Sequence, residues 1–315
     1  MKLHMKNMAM AIAIATGLSF TACKSDKDEI TIDKDVINTP FKQGTIDMGM
    51  FMGDIDIAAT IDAIDFSRDD AKQQFEEYVN SLPPDENLFT RISELQNNNP
   101  LAALGALLSI SKATYYIKDQ AVMGEITGFG WSMDHFHDRG NDLAKMYLTT
   151  LVQTDEIPDE DRQIYATYKP SENEGAGNRN SLDLDLYDRV TSSTKVNVEG
   201  YLCDVATYQM KTQTGGDIEN PVNKIVVYTS PLFDKTINFT HPYYLPESGG
   251  ILRLDIYLED SNTPTLVMRP VSINEEVLSN DDLSVRTSTP VYDINDLNLG
   301  LKSFGILLSG WGVLQ

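Results

Sequence analysis

Two histidines in the segment Asp134-His135-Phe136-His137-Asp138 form the pattern with the most direct chemical meaning. On a β-strand, side chains two residues apart point to the same face, so His135 and His137 would lie together. Two imidazoles hold Zn²⁺ when a third ligand comes from elsewhere in the fold, and His241 is a possible donor. A polar strand end that runs into a turn is the alternative. We favour that alternative, because this spacing is common and nothing signals a third ligand. We therefore predict no metal cofactor, with His135 and His137 as the candidates if one exists.

Cys203 is the next residue that could do chemistry, as a nucleophile. It lies in the middle of a strand pattern, between Tyr201 and Val205, where a buried structural cysteine is the expected role. The sequence contains no nucleophile elbow, phosphate-binding loop or metalloprotease helix. We therefore predict no catalytic residues and a protein that is not an enzyme.

Cys23 has a different context, because a secretory signal precedes it. Lys2 and Lys6 form a basic start, residues 8–20 are an apolar run, and Thr21-Ala22 places small residues before the cysteine. This order is typical of a signal peptide, and the apolar run is too short to span a membrane. We predict export of the chain with residues 1–22 as the signal peptide.

The sequence Phe20-Thr21-Ala22-Cys23 resembles a bacterial lipobox. The resemblance implies a lipid attached to Cys23, which becomes the first residue of the mature protein, and no other cofactor. An ordinary secreted protein with a cysteine near its cleavage site is the alternative. The run 24–29 resembles the surface-export tag of Bacteroidota lipoproteins, although a solvated tether over 23–42 explains it too. The expected location is the outer membrane of a Gram-negative cell, on its periplasmic side or at the surface.

The composition limits the possible partners. The 315 residues carry 25 Lys and Arg against 47 Asp and Glu, a formal net charge of −22. Such a surface repels phosphate backbones, so nucleic acid is excluded as a main partner, and membrane attachment must come from the lipid. An apolar fraction of 41% is sufficient for a folded core.

The first part of the predicted domain, 43–315, is helical. Apolar and polar residues alternate over 55–65, which favours a strand, with a helix as the alternative. Helical periodicity follows over about 67–110 and is broken by Pro83-Pro84 and by Asn97–Pro100. The helix over 101–110 is apolar all round, so we predict that it is buried in the protein or against a ligand or partner. Its large side chains are the candidate plug of a ligand groove: Leu101, Leu104, Leu107, Leu108 and Ile110.

The remainder of the chain reads as β-strands. Residues 112–151 predict a four-stranded meander with tight turns. A polar insert follows over about 152–195, and further strands are predicted at 195–199, 201–211, 224–230, 251–259 and 265–273. Residues 287–315 are predicted to supply a last strand or a docking segment.

The order of these patches suggests a family. Ala113–Asp119, Val198–Val205, Lys224–Tyr228, Gly250–Leu254 and Val271–Val277 resemble a group of uncharacterised Bacteroidota envelope proteins. Those proteins in turn look like the lipoprotein-carrier fold. The resemblance implies an α+β fold in which a curved antiparallel sheet, a half-barrel, carries a helical block on its concave face. It transfers no catalytic residues.

We therefore expect a lipid-anchored, non-enzymatic envelope protein that binds a hydrophobic or amphipathic ligand, or a partner protein. A surface adhesin or glycan-binding module is the alternative, because Trp131 and Tyr243-Tyr244 could stack on sugar rings. A metal-dependent hydrolase is a third possibility and depends on His135 and His137.

Overall fold

The computed structural model describes residues 36–153, 157–158, 161–172, 183–211, 222–241, 245–258, 260–294 and 297–313. The signal peptide and Cys23 lie outside the described residues, as does the tether up to residue 35. Among the described residues, no helix is long and apolar enough to cross a membrane.

The described strands form one curved, open sheet, which confirms the predicted α+β class. Its order is β14-β7-β6-β5-β4-β3-β1-β13-β12-β11-β10-β8, with β2 beside β1 and β9 beside β10. The strands are β1 Gln43–Met52, β2 Ile55–Asp56, β3 Ser111–Lys118, β4 Ala121–Gly128, β5 Trp131–Asp138, β6 Leu143–Thr150, β7 Gln163–Tyr168, β8 Tyr187–Thr191, β9 Val196–Val198, β10 Tyr201–Met210, β11 Lys224–Ser230, β12 Gly250–Tyr257, β13 Leu266–Glu275 and β14 Val291–Asp293. The pairings are antiparallel except for that of β14 with β7.

Strand β1 lies between the two halves of the sheet. One edge pairs with β3, which begins the meander β3–β6 predicted from the sequence. The other edge pairs with β13, more than 200 residues further along the chain. The predicted insert over 152–195 contains two strands that the sequence did not indicate. Strand β7 extends the meander beyond β6, and β8 ends the other half.

The helices of the described chain gather near one end of the meander. They are α1 Ile57–Asp62, α2 Ala71–Ser81, α3 Leu88–Asn98, α4 Pro100–Ser109, α5 Leu297–Leu307 and α6 Ser309–Val313. The strand predicted over 55–65 is wrong, because helix α1 occupies this region. The Asp56 carboxylate accepts a hydrogen bond from the Ala58 amide and caps α1, which buries Ile57 and Ile61 on one face. That burial outweighs the alternating pattern.

Aromatic packing holds the helices to the sheet. Phe129, in the turn between β4 and β5, is fully buried and contacts the rings of four aromatic residues from other segments. These are Phe66, Phe75, Phe89 and Trp311. Because these rings come from distant parts of the chain, this aromatic cluster joins the helical block to the meander.

The C-terminal segment supplies both a strand and docking helices, the two roles predicted as alternatives. Strand β14 pairs with β7, and α6 contacts the turn between β4 and β5. The Ser309 hydroxyl donates to the Gly130 carbonyl at 3.0 Å. Gly130 has a φ of +82°, and a Cβ atom there would lie 2.3 Å from the Gly310 Cα atom. The two backbones therefore approach at a distance that only glycine permits.

Arg286 fixes the connection between β13 and β14 across the outer face of the sheet. The Asp134 carboxylate accepts hydrogen bonds from the Arg286 amide, Nε and Nη2 at 3.0, 2.7 and 2.6 Å. The Asp134 side chain is only 8% exposed, whereas that of Arg286 is 50% exposed. The carboxylate thus depends on Arg286 for its counter-charge.

We predict that Arg286→Gln destabilises the fold by about 2 kcal/mol, because it leaves a buried carboxylate without its partner. This is the lower end of the range for such losses, since Arg286 is half exposed. The free energy of unfolding in urea measures the effect. Arg68→Gln is the control, because its ion pair with Asp70 is exposed and should contribute nothing measurable. Equal changes in both variants would contradict the buried-carboxylate argument.

Candidate functional site

His135 and His137 lie side by side on the inner face of β5, as their spacing predicted, and both are buried. Small residues on the neighbouring strands leave space around them. Gly124 of β4 is opposite His135, and Ala144 of β6 is opposite His137. Each histidine thus has one small neighbour across the sheet, and the ring of Tyr115 lies over Gly124.

Tyr168, the last residue of β7, completes a cluster with the two histidines. Ala144 is its partner in the β6–β7 ladder, so the tyrosine reaches past a small side chain. Its Oη atom lies 2.7 Å from His135 Nε2 and 2.8 Å from His137 Nε2, and the two Nε2 atoms are 2.9 Å apart. We call these three residues the His–Tyr cluster. Sequence reasoning missed Tyr168, because it falls in the predicted polar insert.

Burial keeps the His–Tyr cluster uncharged. It lowers the pKa of His135 to about 4. Burial, and then the charge of His135, lowers the pKa of His137 well below its usual value. Burial raises the pKa of Tyr168. The ring of Phe239 stacks on His137 with centroids 4.6 Å apart, and His137 Nδ1 has no hydrogen-bond partner among the described residues.

His241 does not complete the histidine pair. Its Nε2 atom lies 2.9 Å from the Ile251 carbonyl oxygen, to which it donates, and its ring contacts Tyr115 edge-on. The described residues contain no group of three or more His, Cys, Asp or Glu side chains placed to hold a metal ion. The suggestion that His241 is a third metal ligand beside His135 and His137 is therefore wrong.

Cys203 is buried within β10, which confirms its predicted structural placement. Burial raises the pKa of its thiol to about 12. A thiol with so high a pKa remains protonated at neutral pH and is a poor nucleophile.

Helix α4 begins as the sequence predicted, with Pro100 in its first turn and the Asn99 carboxamide as its cap. The described residues cover only one side of it. Ala102, Ala103 and Ala106 are buried, and Ile110 after the helix is fully buried. The large side chains Leu104, Leu107 and Leu108 are only half-buried, and that of Leu101 lies outside the described residues.

Helix α4 contacts α3, the helix before it in the chain. The buried alanines recur on one side of α4, and Leu104 and Leu108 lie on the opposite side. Leu107 also touches the core, whereas Leu104 and Leu108 are not among the side chains packed against it. The helix that was predicted to plug the sheet thus presents Leu104 and Leu108 on its outer side.

The aromatic residues considered for sugar binding give no platform within the described chain. Trp131 is a core residue whose indole lies against Gly128, where a Cβ atom would be 2.0 Å from the ring. Tyr243 and Tyr244 lie outside the described residues.

An open cleft of about 490 Å³ lies where Pro40 and Phe41 meet the loop after β11. Its polar wall is the ion pair of Arg139 with Asp234, whose charged atoms are 2.6 Å apart. Burial alone would raise the pKa of Asp234. Hydrogen bonds from Arg139 and Thr236 outweigh that effect, so the pKa lies below its usual value. These two charges offset each other, and the cleft is also lined by Lys235 and by apolar residues such as Phe41 and Leu232.

We predict that His241 makes stability fall as the pH drops below 6.5. Burial lowers its folded-state pKa from 6.5 to about 4, so the unfolded chain binds more protons between these values. Within this window, each unit of pH decrease lowers the free energy of unfolding by about 1.4 kcal/mol through this one group. The stabilisation is fully present above pH 6.5. His241→Gln should reduce the slope of unfolding free energy against pH by that amount, measured in urea at pH 7, 6 and 5. Parallel slopes for the two proteins would refute this assignment.

Comparison with known proteins gives no family. No family model matches the sequence, and the curated proteins give no match. Among solved structures, the chain is similar to PNGF-II in its C2 crystal form, with 11% identity and a TM-score of 0.30. The match covers 62% of this chain and 31% of PNGF-II, so it spans about a third of that protein's length.

Proposed function

We propose that this protein is a lipid-anchored, non-enzymatic protein of the outer membrane that binds a partner protein through the leucine face of α4. This face consists of Leu104, Leu107 and Leu108. Three alanines on one side of the helix are buried while its leucines are only partly covered, and this pattern is the observation that carries the proposal. A surface helix normally buries its large apolar side chains, and contiguous exposed apolar residues mark interaction sites.

The shape of the leucine face favours a protein over a lipid as the ligand. An acyl chain is bound in an enclosed or concave apolar site. The leucine face instead lies on the outer side of a helix, a shape that fits a groove on another protein. The cleft at Arg139 and Asp234 is open and has an ion pair in its wall, so it offers no enclosed apolar site for a lipid tail.

The topology supports a partner away from the lipid anchor. The described chain begins at Val36 and enters β1 at Gln43, where β1 pairs with the end of β3 at Lys118. The C-terminus of α4 leads into Ser111, at the opposite end of β3. These two ends are separated by the length of β3, about 25 Å for eight residues. An anchor at Cys23 therefore enters at one end of the sheet, while α4 is joined to the other.

We predict that Cys23→Ala moves the protein from the membrane fraction to the soluble envelope fraction and abolishes metabolic palmitate labelling. The physical reason is that the strongly acidic chain has no charge attraction to anionic lipid. Cys203→Ala is the matched control, because it removes a cysteine that is buried in the fold, and should leave both readouts unchanged. Membrane pelleting with normal labelling in the Cys23 variant would rule out the anchor.

We predict that a photo-crosslinking residue at Leu108 gives a discrete adduct with one other envelope protein in intact cells. The same residue at exposed Glu76 on α2 is the positional control and should not give that adduct. Adding Leu104→Gln should remove the adduct while leaving the fold intact, since Leu104 is half-buried and its loss costs about 1 kcal/mol. The melting temperature checks the fold. Adducts only with lipid, only with a second copy of the chain, or equally at both positions would count against the proposal.

A further inference from the structure

We propose that His135, His137 and Tyr168 bind one divalent transition-metal ion that joins β5 to β7. This site is separate from the leucine face of α4, so it goes beyond the proposed function and does not depend on it. The ligands would be the two Nε2 atoms and the Tyr168 Oη atom, which already lie within 2.7–2.9 Å of one another.

The His–Tyr cluster has too few hydrogens for its three short contacts to be three hydrogen bonds. Each of the three short contacts requires one hydrogen between its two heavy atoms and one lone pair to receive it. The tyrosine hydroxyl provides one hydrogen, and only one imidazole can donate from Nε2 if the other is to accept there. At most two of the three contacts are therefore hydrogen bonds, and the third brings two buried polar atoms together without a bond. A single cation between the three atoms would receive a lone pair from each.

The spacing is close to that of a metal site. Ligand bonds of about 2.0–2.1 Å in tetrahedral geometry place neighbouring ligand atoms about 3.3 Å apart. The three contacts would thus each lengthen by about 0.5 Å. Tyr168 ends β7, and its neighbour on β6 is the small residue Ala144, so its side chain has room for this movement. Imidazole nitrogen and phenolate oxygen suit zinc, copper or iron rather than calcium or magnesium.

Binding of a cation would also change the protonation of Tyr168. Burial raises the pKa of Tyr168, and a bound cation would act in the opposite direction and release its proton to solvent. Metal binding at His137 Nε2 leaves its Nδ1 hydrogen without a partner among the described residues. That loss is small beside the binding free energy of a structural metal. Phe239 stacks on the ring of His137 and covers one side of it. Three protein ligands would leave the fourth tetrahedral position of the ion to a water molecule.

The test uses the full mature chain, freed of metal with a chelator and titrated with Zn²⁺. Calorimetry should show one Zn²⁺ bound per chain, and the bound protein should melt at a higher temperature. Heats measured in two buffers of different ionisation enthalpy should reveal the release of one proton. With Cu²⁺ in place of Zn²⁺, a phenolate-to-metal absorption band should appear in the visible spectrum.

Tyr168→Phe keeps the ring and removes the ligand atom. It should lower the Zn²⁺ affinity by at least about 100-fold and abolish both the proton release and the Cu²⁺ band. His241→Gln, which alters a buried histidine outside the cluster, should bind as the unchanged protein does. His137→Gln provides a second test if the tyrosine variant folds poorly by circular dichroism. A wild-type chain that binds neither ion, or a tyrosine variant with unchanged affinity, would overturn the proposal.

Discussion

The pairing of β1 with both of its neighbours is the constraint on which the rest of this fold depends. Its inner face buries Ile46, Met48 and Met50, and its outer face carries Asp47. The Asp47 carboxylate accepts hydrogen bonds from Thr114 of β3 and Ser272 of β13, both at 2.7 Å. One side chain thus links three strands, and two of them are separated by 225 residues in sequence. Closing so long a loop is entropically costly, so the buried strand and its polar link must offset that cost together.

The helices pack at one end of the meander, and their position depends on the space that the sheet leaves there. The aromatic cluster around Phe129 fills the inner face where β4 turns into β5. Helix α4 directly precedes β3 and contacts α3. Its alanines take the covered side, so Leu104 and Leu108 on the opposite side are only partly covered by the described residues.

The sequence predicted well those parts of the fold that depend on local chemistry. The meander turns require a left-handed backbone at Asp119 and Asp142, with φ of 56° and 51°, and aspartate tolerates that conformation. Asn99 and Pro100 likewise mark the start of α4. Prediction failed where distant contacts decide. The alternation near Ile57 was overruled by burial in a helix, and strands β7 and β8 depend on neighbours that a polar sequence does not reveal.

For the same reason, the sequence pointed to only two of the three residues of the candidate site. The spacing of His135 and His137 is a local property, whereas Tyr168 joins them through a ladder across β6. A tyrosine at the end of an interrupted polar segment gives no sign of a buried partner. Knowledge of the strand order was needed to bring it to the two histidines.

Buried polar groups elsewhere in the fold show why the His–Tyr cluster stands apart. Glu247 accepts two hydrogen bonds from Arg189 and one from Tyr208. Asp255 accepts from Arg253 and Tyr228, again with a donor for each contact. In these networks every short contact pairs a hydrogen with a lone pair, as buried polar groups require. Two imidazoles and a phenol cannot satisfy three mutual contacts in this way, so one contact of the cluster has no hydrogen between its two atoms.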